Sequence, residues 1–297
     1  MKRMLVTTAA LAIGAISAQP ALAQLKVASD KTITGFTHPE SVGCDPRNKA
    51  IYVSEFGSKL APLEKDAAGY ISKWSLDGKL IEKNFLPGDK GEKLNKPKGI
   101  WVQGNRLWTT DIDSAWVFDL KTKKARRVAI PGIKFANDPA VSGKSLYVTD
   151  NAGDQLFKVE PADFLNMKGE PKVTTVFKDA KANPNGIWPA KRGLLVVGFT
   201  APDQPRAIYA IGKDGQPKAI SDPLGRLDGV TELKDGSLLV TDWISGSLFQ
   251  WSKKGGRNKL AEGFKGPADF CVIAKGKSLT AYVPDLVQSQ VRIIELQ

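Results

Sequence analysis

A short motif recurs six times along the chain, and no other feature restricts the fold as tightly. Each copy opens on a polar stretch, usually with Pro or Gly, such as Lys96-Pro97-Lys98-Gly99-Ile100 or Pro184-Asn185-Gly186-Ile187. An apolar strand, a turn and a second strand of the form L-x-V-T-D follow, as in Leu146-Tyr147-Val148-Thr149-Asp150 and Leu238-Leu239-Val240-Thr241-Asp242. Most copies add a third strand, such as Gly246-Ser247-Leu248-Phe249-Gln250-Trp251. The equivalent positions are Glu40, Lys98, Asn137, Asn185, Asp228 and Ala268, roughly 40 to 60 residues apart, which is room for a four-stranded sheet with turns. The chain is rich in turn formers, with 28 Gly and 18 Pro, and no helical period is sustained. An open sheet of about 24 strands would expose long edges, whereas radial repetition buries them. The spacing therefore predicts an all-β chain folded as one six-bladed β-propeller over residues 24–297. The segment Leu25 to Phe36 is expected to complete the last blade. The long first spacing is expected to hold an insertion at Lys59 to Gly69.

Residues 1–23 read differently. Lys2 and Arg3 precede an apolar run, Met4 to Ala18, and Ala21-Leu22-Ala23 has the form a signal peptidase cuts. This is a secretory leader by pattern, so the expected location is periplasmic or secreted. No later stretch approaches 18 apolar residues, so no membrane span is expected. The net charge of +12 raises the question of nucleic acid. The cations are scattered, the one cluster (Lys121 to Arg127) is short, and export argues against such a partner. A solvated basic surface is the simpler reading.

A single histidine, His38, and two cysteines exclude the common zinc sites. Cys44 and Cys271 fall on the inner strands of the first and sixth blades, which are neighbours in a ring. Counted from the motif proline they have opposite parity, as a pair facing each other across one interface requires. A disulfide is open to them after export. Two buried free thiols are the alternative.

In a ring of blades the inner strands start around one mouth of the axial channel. Glu40, Asn137, Asn185 and Asp228 bring oxygen donors there, two carboxylates and two amides, with no nitrogen or sulfur ligand. That donor set suits a hard divalent cation, Ca²⁺ ahead of Mg²⁺, Mn²⁺ or Zn²⁺. Asn and Asp before Gly are also ordinary turn residues, and each taken singly fits that role as well.

As a set, these four residues resemble the senescence marker protein (regucalcin) and gluconolactonase family, six-bladed propellers to which the squid-type diisopropyl fluorophosphatase is related. The resemblance spans residues 24–297. It implies an axial Ca²⁺ held by Glu40, Asn185 and Asp228, with Asn137 binding metal or substrate. It also implies hydrolysis of a cyclic ester such as a sugar lactone, with Asp228 activating water. Two positions depart from the pattern. Phe135 stands where lactonases often carry a substrate-contacting Arg. Lys98 places a cation at the rim, where it could anchor substrate, pair with Glu40 or Asp228, or project into solvent. Phe135, Lys98, Asn137 and Trp188 are the candidate substrate contacts, with Asp138 and Asp269 close by in sequence. Two rival readings remain: a propeller that binds a ligand or protein without chemistry, and a phosphotriesterase on the same metal. No G-x-S-x-G or complete P-loop occurs.

Overall fold

The computed structural model describes residues 24–297; the leader read at Met1–Ala23 lies outside the described residues. All six repeats fold into four-stranded antiparallel sheets, and the chain is a six-bladed β-propeller. In blade one the strands run from the axis outwards as Pro39–Asp45, Ala50–Glu55, Tyr70–Ser75 and Leu80–Leu86. The inner strands of blades two to six are Pro97–Gln103, Ala136–Ser142, Pro184–Ala190, Leu227–Glu232 and Cys271–Lys275. The apolar side chains gather in six clusters, one at each junction between neighbouring blades. Such burial is what a lone twisted sheet cannot achieve, and it explains why the strands are short and rich in Val, Ile and Leu.

The ring is closed twice. The first described strand, Val27–Thr34, is the outermost strand of blade six and pairs antiparallel with Gln290–Leu296, placing Ile33 opposite Val291. At the axis, Cys44 of blade one and Cys271 of blade six form a disulfide with their Cα atoms 5.7 Å apart, inside the usual span.

The acid that ends the second strand in five of the six blades has a structural purpose. The carboxylate of Asp111 accepts hydrogen bonds from the N–H groups of Asn95 and Lys96, and Asp150 accepts from Lys134 and Phe135. Asp285 does the same for Lys265 and Gly266, and Glu55 accepts from Thr37. Each acid thus fixes the segment that enters its own blade's inner strand. Blade four has Gly198 instead, because a Cβ there would collide with the carbonyl oxygen of Ala182. The threonine one residue earlier ties neighbouring blades together. Thr149 Oγ1 accepts the Asp138 N–H (2.8 Å) and donates to the Asn185 carbonyl of the next blade (2.6 Å). Thr241 Oγ1 likewise accepts from Gly229 and donates to the Ala268 carbonyl, and Thr110 donates to the Asn137 carbonyl. These buried bonds set the height at which the inner strands begin, and so the level of the channel mouth. The blade-one insertion forms the loop at residues 56–69, between Glu55 and Tyr70. No helix among the described residues is long and apolar enough to cross a membrane.

Candidate functional site

The six equivalent positions meet at one mouth of the channel. Glu40, Lys98, Asn137, Asn185 and Asp228 are all buried, none more than 6% exposed, and Ala268 is fully buried. Glu40 and Asp228 belong to blades two steps apart in the ring, yet Glu40 lies in the field of Asp228 across the channel. Burial pushes the Glu40 carboxyl well above the ordinary range, the Asp228 and Asp269 charges add to this, and Lys98 opposes it. Burial, with Asp269 second, pushes Asp228 up to about 8, while hydrogen bonds from Trp243 and Asn185 pull the other way. A pocket holding acids in this state favours any group that brings positive charge.

Two oxygens here have no partner. Glu40 Oε2 and Asn185 Oδ1 are buried and accept no hydrogen bond. Leaving a buried acceptor unpaired costs about 1–3 kcal/mol, so both call for a donor or a cation from outside the chain. With Asn137 and Asp228 they make an all-oxygen set, and that chemistry fits a hard divalent ion. No group of three or more His, Cys, Asp or Glu side chains at ligand spacing exists among the described residues. The set therefore depends on its two amides.

Lys98 does not project into solvent, being 1% exposed. Its Nζ donates to the Lys96 carbonyl (3.2 Å) and lies 4.4 Å from the centre of the Phe135 ring, with Phe56 at 5.7 Å. It forms no ion pair with Glu40 or Asp228. Burial lowers its pKa to about 8 against the opposing pull of Glu40 and Asp111. Phe135, standing where an Arg was the expectation by resemblance, thus supplies the face on which the Lys98 cation rests.

Trp188 is not brought to this mouth. It lies three residues along its strand from Asn185, about 10 Å at the ordinary rise, and lines a cavity at the far end of the channel. Besides Phe135, an aromatic residue that does reach the site is Trp243. Its indole Nε1 donates to Asp228 Oδ2 (2.9 Å), its ring packs edge-on against Phe199 at 5.3 Å, and Arg226 stacks on Phe199 at 4.0 Å. Trp243 directly follows the blade-five Thr-Asp pair, so its place in the repeat was the available signal. Lys96, fully buried, anchors the blade-one loop by donating to the Phe56 carbonyl and to Asp66, both at 2.8 Å. His38 also serves this loop, with Nδ1 2.9 Å from the Gly57 carbonyl oxygen.

Known structures share this architecture. A gluconolactonase of Xanthomonas campestris superposes with a TM-score of 0.64 at 14% identity, covering 92% of this chain and 91% of the other. The fold is that of the gluconolactonases. A second structure assigned to that activity gives a TM-score of 0.65 at 16% identity, over 94% and 93% of the two chains. Virginiamycin B lyase of Staphylococcus aureus gives 0.60 at 15% identity, over 91% of this chain and 99% of the lyase. No family model matches the sequence, and no curated protein matches it. At these identities the likeness carries the fold, and any chemistry must be argued from the residues.

Proposed function

We propose that the chain is an exported, metal-dependent hydrolase that opens a lactone or similar cyclic ester at the Glu40–Asp228 mouth. The observation that carries this reading is the pair of unpartnered buried oxygens, Glu40 Oε2 and Asn185 Oδ1, in the same pocket as a carboxyl held near neutrality. Glu40, Asn185 and Asp228 would hold a divalent cation, Ca²⁺ being the best match, with Asn137 beside them. When bound, the cation supplies polarisation of the ester carbonyl and offsets the charge that grows on its oxygen.

The chain's own residues do the rest. The Trp243 indole donates to Asp228 Oδ2 and Asn185 donates to the same carboxylate, which together fix the group that would take a proton from the attacking water. Lys98 holds a positive charge at the rim, within reach of a ring oxygen or hydroxyl of the substrate. Phe135 and Trp243 offer apolar faces that orient a small ring and exclude water. The gluconolactonases with this fold support the ester class. The leader pattern at residues 1–23 and the Cys44–Cys271 bond both suit a compartment outside the cytosol.

The test is turnover of a panel of aldonolactones and phosphotriesters, with added Ca²⁺ and with chelator. Lactone opening that needs the metal and falls by about a hundredfold or more in Asp228→Asn is the expected result. Hydrolysis confined to phosphotriesters would reassign the substrate, and turnover indifferent to both chelator and Asp228→Asn would end the proposal. Metal-dependent stabilisation without turnover of any ester would favour a binding protein.

A further inference from the structure

The far half of the axial channel contains a second, differently built cavity of about 230 Å³. Its wall is a complete ring of side chains, each two residues beyond one of the six equivalent positions: Val42, Ile100, Pro139, Ile187, Val230 and Phe270. At its inner end lie two carboxyls, Asp138 and Asp269. At its outer lip, Trp101 of blade two and Trp188 of blade four meet edge to face, 5.5 Å between centres. Ala140 of blade three, between those two strands, is small enough to let them meet. The Cys44–Cys271 bond forms the opposite lip.

The polar groups at the inner end are only partly satisfied. Asp269 Oδ2 accepts from the Ser41 hydroxyl at 2.6 Å, and its carboxyl also accepts the Phe270 N–H. Asp138 is 4% exposed, and its Oδ2 accepts the Ile187 N–H at 2.9 Å. Asp138 Oδ1 has no donor among the described residues. It sits over Gly99, where any Cβ would strike it. No Lys, Arg or His lines this cavity. An acceptor without a donor, two acids without a cation, an apolar tube and an indole lip together describe one ligand chemistry. A protonated amine would meet the acids, an attached apolar group would fill the ring, and the indoles would add their attraction for nearby positive charge.

We propose that this end of the channel is a binding site for a small organic ammonium ion with an apolar tail, its N–H groups on Asp138 and Asp269 and its tail between the inner-strand ring and Trp188. The site adjoins the Glu40–Asp228 mouth and shares its electric field, but it does not depend on the activity proposed there.

Phenethylammonium chloride is a suitable probe, with 2-phenylethanol as its neutral counterpart. Calorimetric titration of the full chain at pH 8 should show saturable binding of the amine, one per chain, with the alcohol weaker by about tenfold or more. Asp138→Asn keeps an oxygen for the Ile187 N–H and should weaken the amine by about tenfold or more. Trp188→Leu, at a partly buried position, should weaken it too. The proposal is overturned by any of three results: no saturable binding up to about 10 mM, equal affinity for amine and alcohol, or amine binding unchanged in both Asp138→Asn and Trp188→Leu.

Discussion

Removing the Cys44–Cys271 bond tests how the ring is held shut. The two closures act on different states of the chain. The pairing of Val27–Thr34 with Gln290–Leu296 exists only in the folded protein and melts with it. The disulfide persists after unfolding and restricts the unfolded chain. The cysteines are 227 residues apart, and the loop-closure relation assigns a cross-link of that length about 5 kcal/mol at 25 °C. Measured values fall below the relation where the unfolded chain keeps some structure, so we expect about 3–5 kcal/mol. At this chain size each kcal/mol moves the midpoint by about 2 °C, giving a loss of ~6–10 °C. The assay is thermal unfolding of the double variant Cys44→Ser/Cys271→Ser beside the oxidised parent. A second arm uses the parent treated with reductant, which should fall to the same midpoint. If both arms stay within about 2 °C of the parent, closure by the strand alone is sufficient and the argument from the unfolded chain fails.

Two further predictions concern the mouth and its supports. With chelator present, Asp228 near 8 and Asp269 near 7 hold protons that the unfolded chain, with carboxyls near 4, has already lost, and Glu40 and Asp138 are raised in the same sense. The folded state binds more protons between those values, so stability is greatest near the unfolded pKa and falls as pH rises towards 8. The melting midpoint in chelator should therefore drop from pH 5 to pH 8, and Ca²⁺ should restore it at pH 8. Equal midpoints at the two pH values in chelator would contradict the reading of the acids as uncompensated. Thr149→Val removes the hydroxyl that serves both the Asp138 N–H and the Asn185 carbonyl. Urea titration should show a loss of about 2–4 kcal/mol, since two buried backbone groups lose their partner, and a value under about 0.5 kcal/mol would show that the staple carries no weight.

The parts of this molecule that were legible in advance are those the repeat makes comparable. Six copies of one pattern locate six inner strands, and aligning them singles out Glu40, Asn137, Asn185 and Asp228 without any knowledge of contacts. Lys98 was equally visible, but whether its charge met a carboxylate, solvent or an aromatic face depended on a loop, and loops are where the copies differ. The structure places Phe135 and Phe56 against it. Trp188 shows the opposite error. Three residues from Asn185 looks near in sequence, yet along an extended strand it carries the side chain into the other half of the channel. Trp243 was overlooked because it stands just outside the repeated Thr-Asp, where a residue is aimed by its turn rather than by its strand. The ring of Val42, Ile100, Pro139, Ile187, Val230 and Phe270 reads from sequence as plain core, and only the closing of six blades around an axis turns it into a cavity wall. What repetition conserves, the Thr-Asp staples and the apolar faces, builds the frame. What the copies do not share carries the chemistry: an acid at position 40, a lysine at 98, amides at 137 and 185, and an acid at 228. In a fold of equivalent parts, function is therefore best sought at the positions where the copies differ from one another.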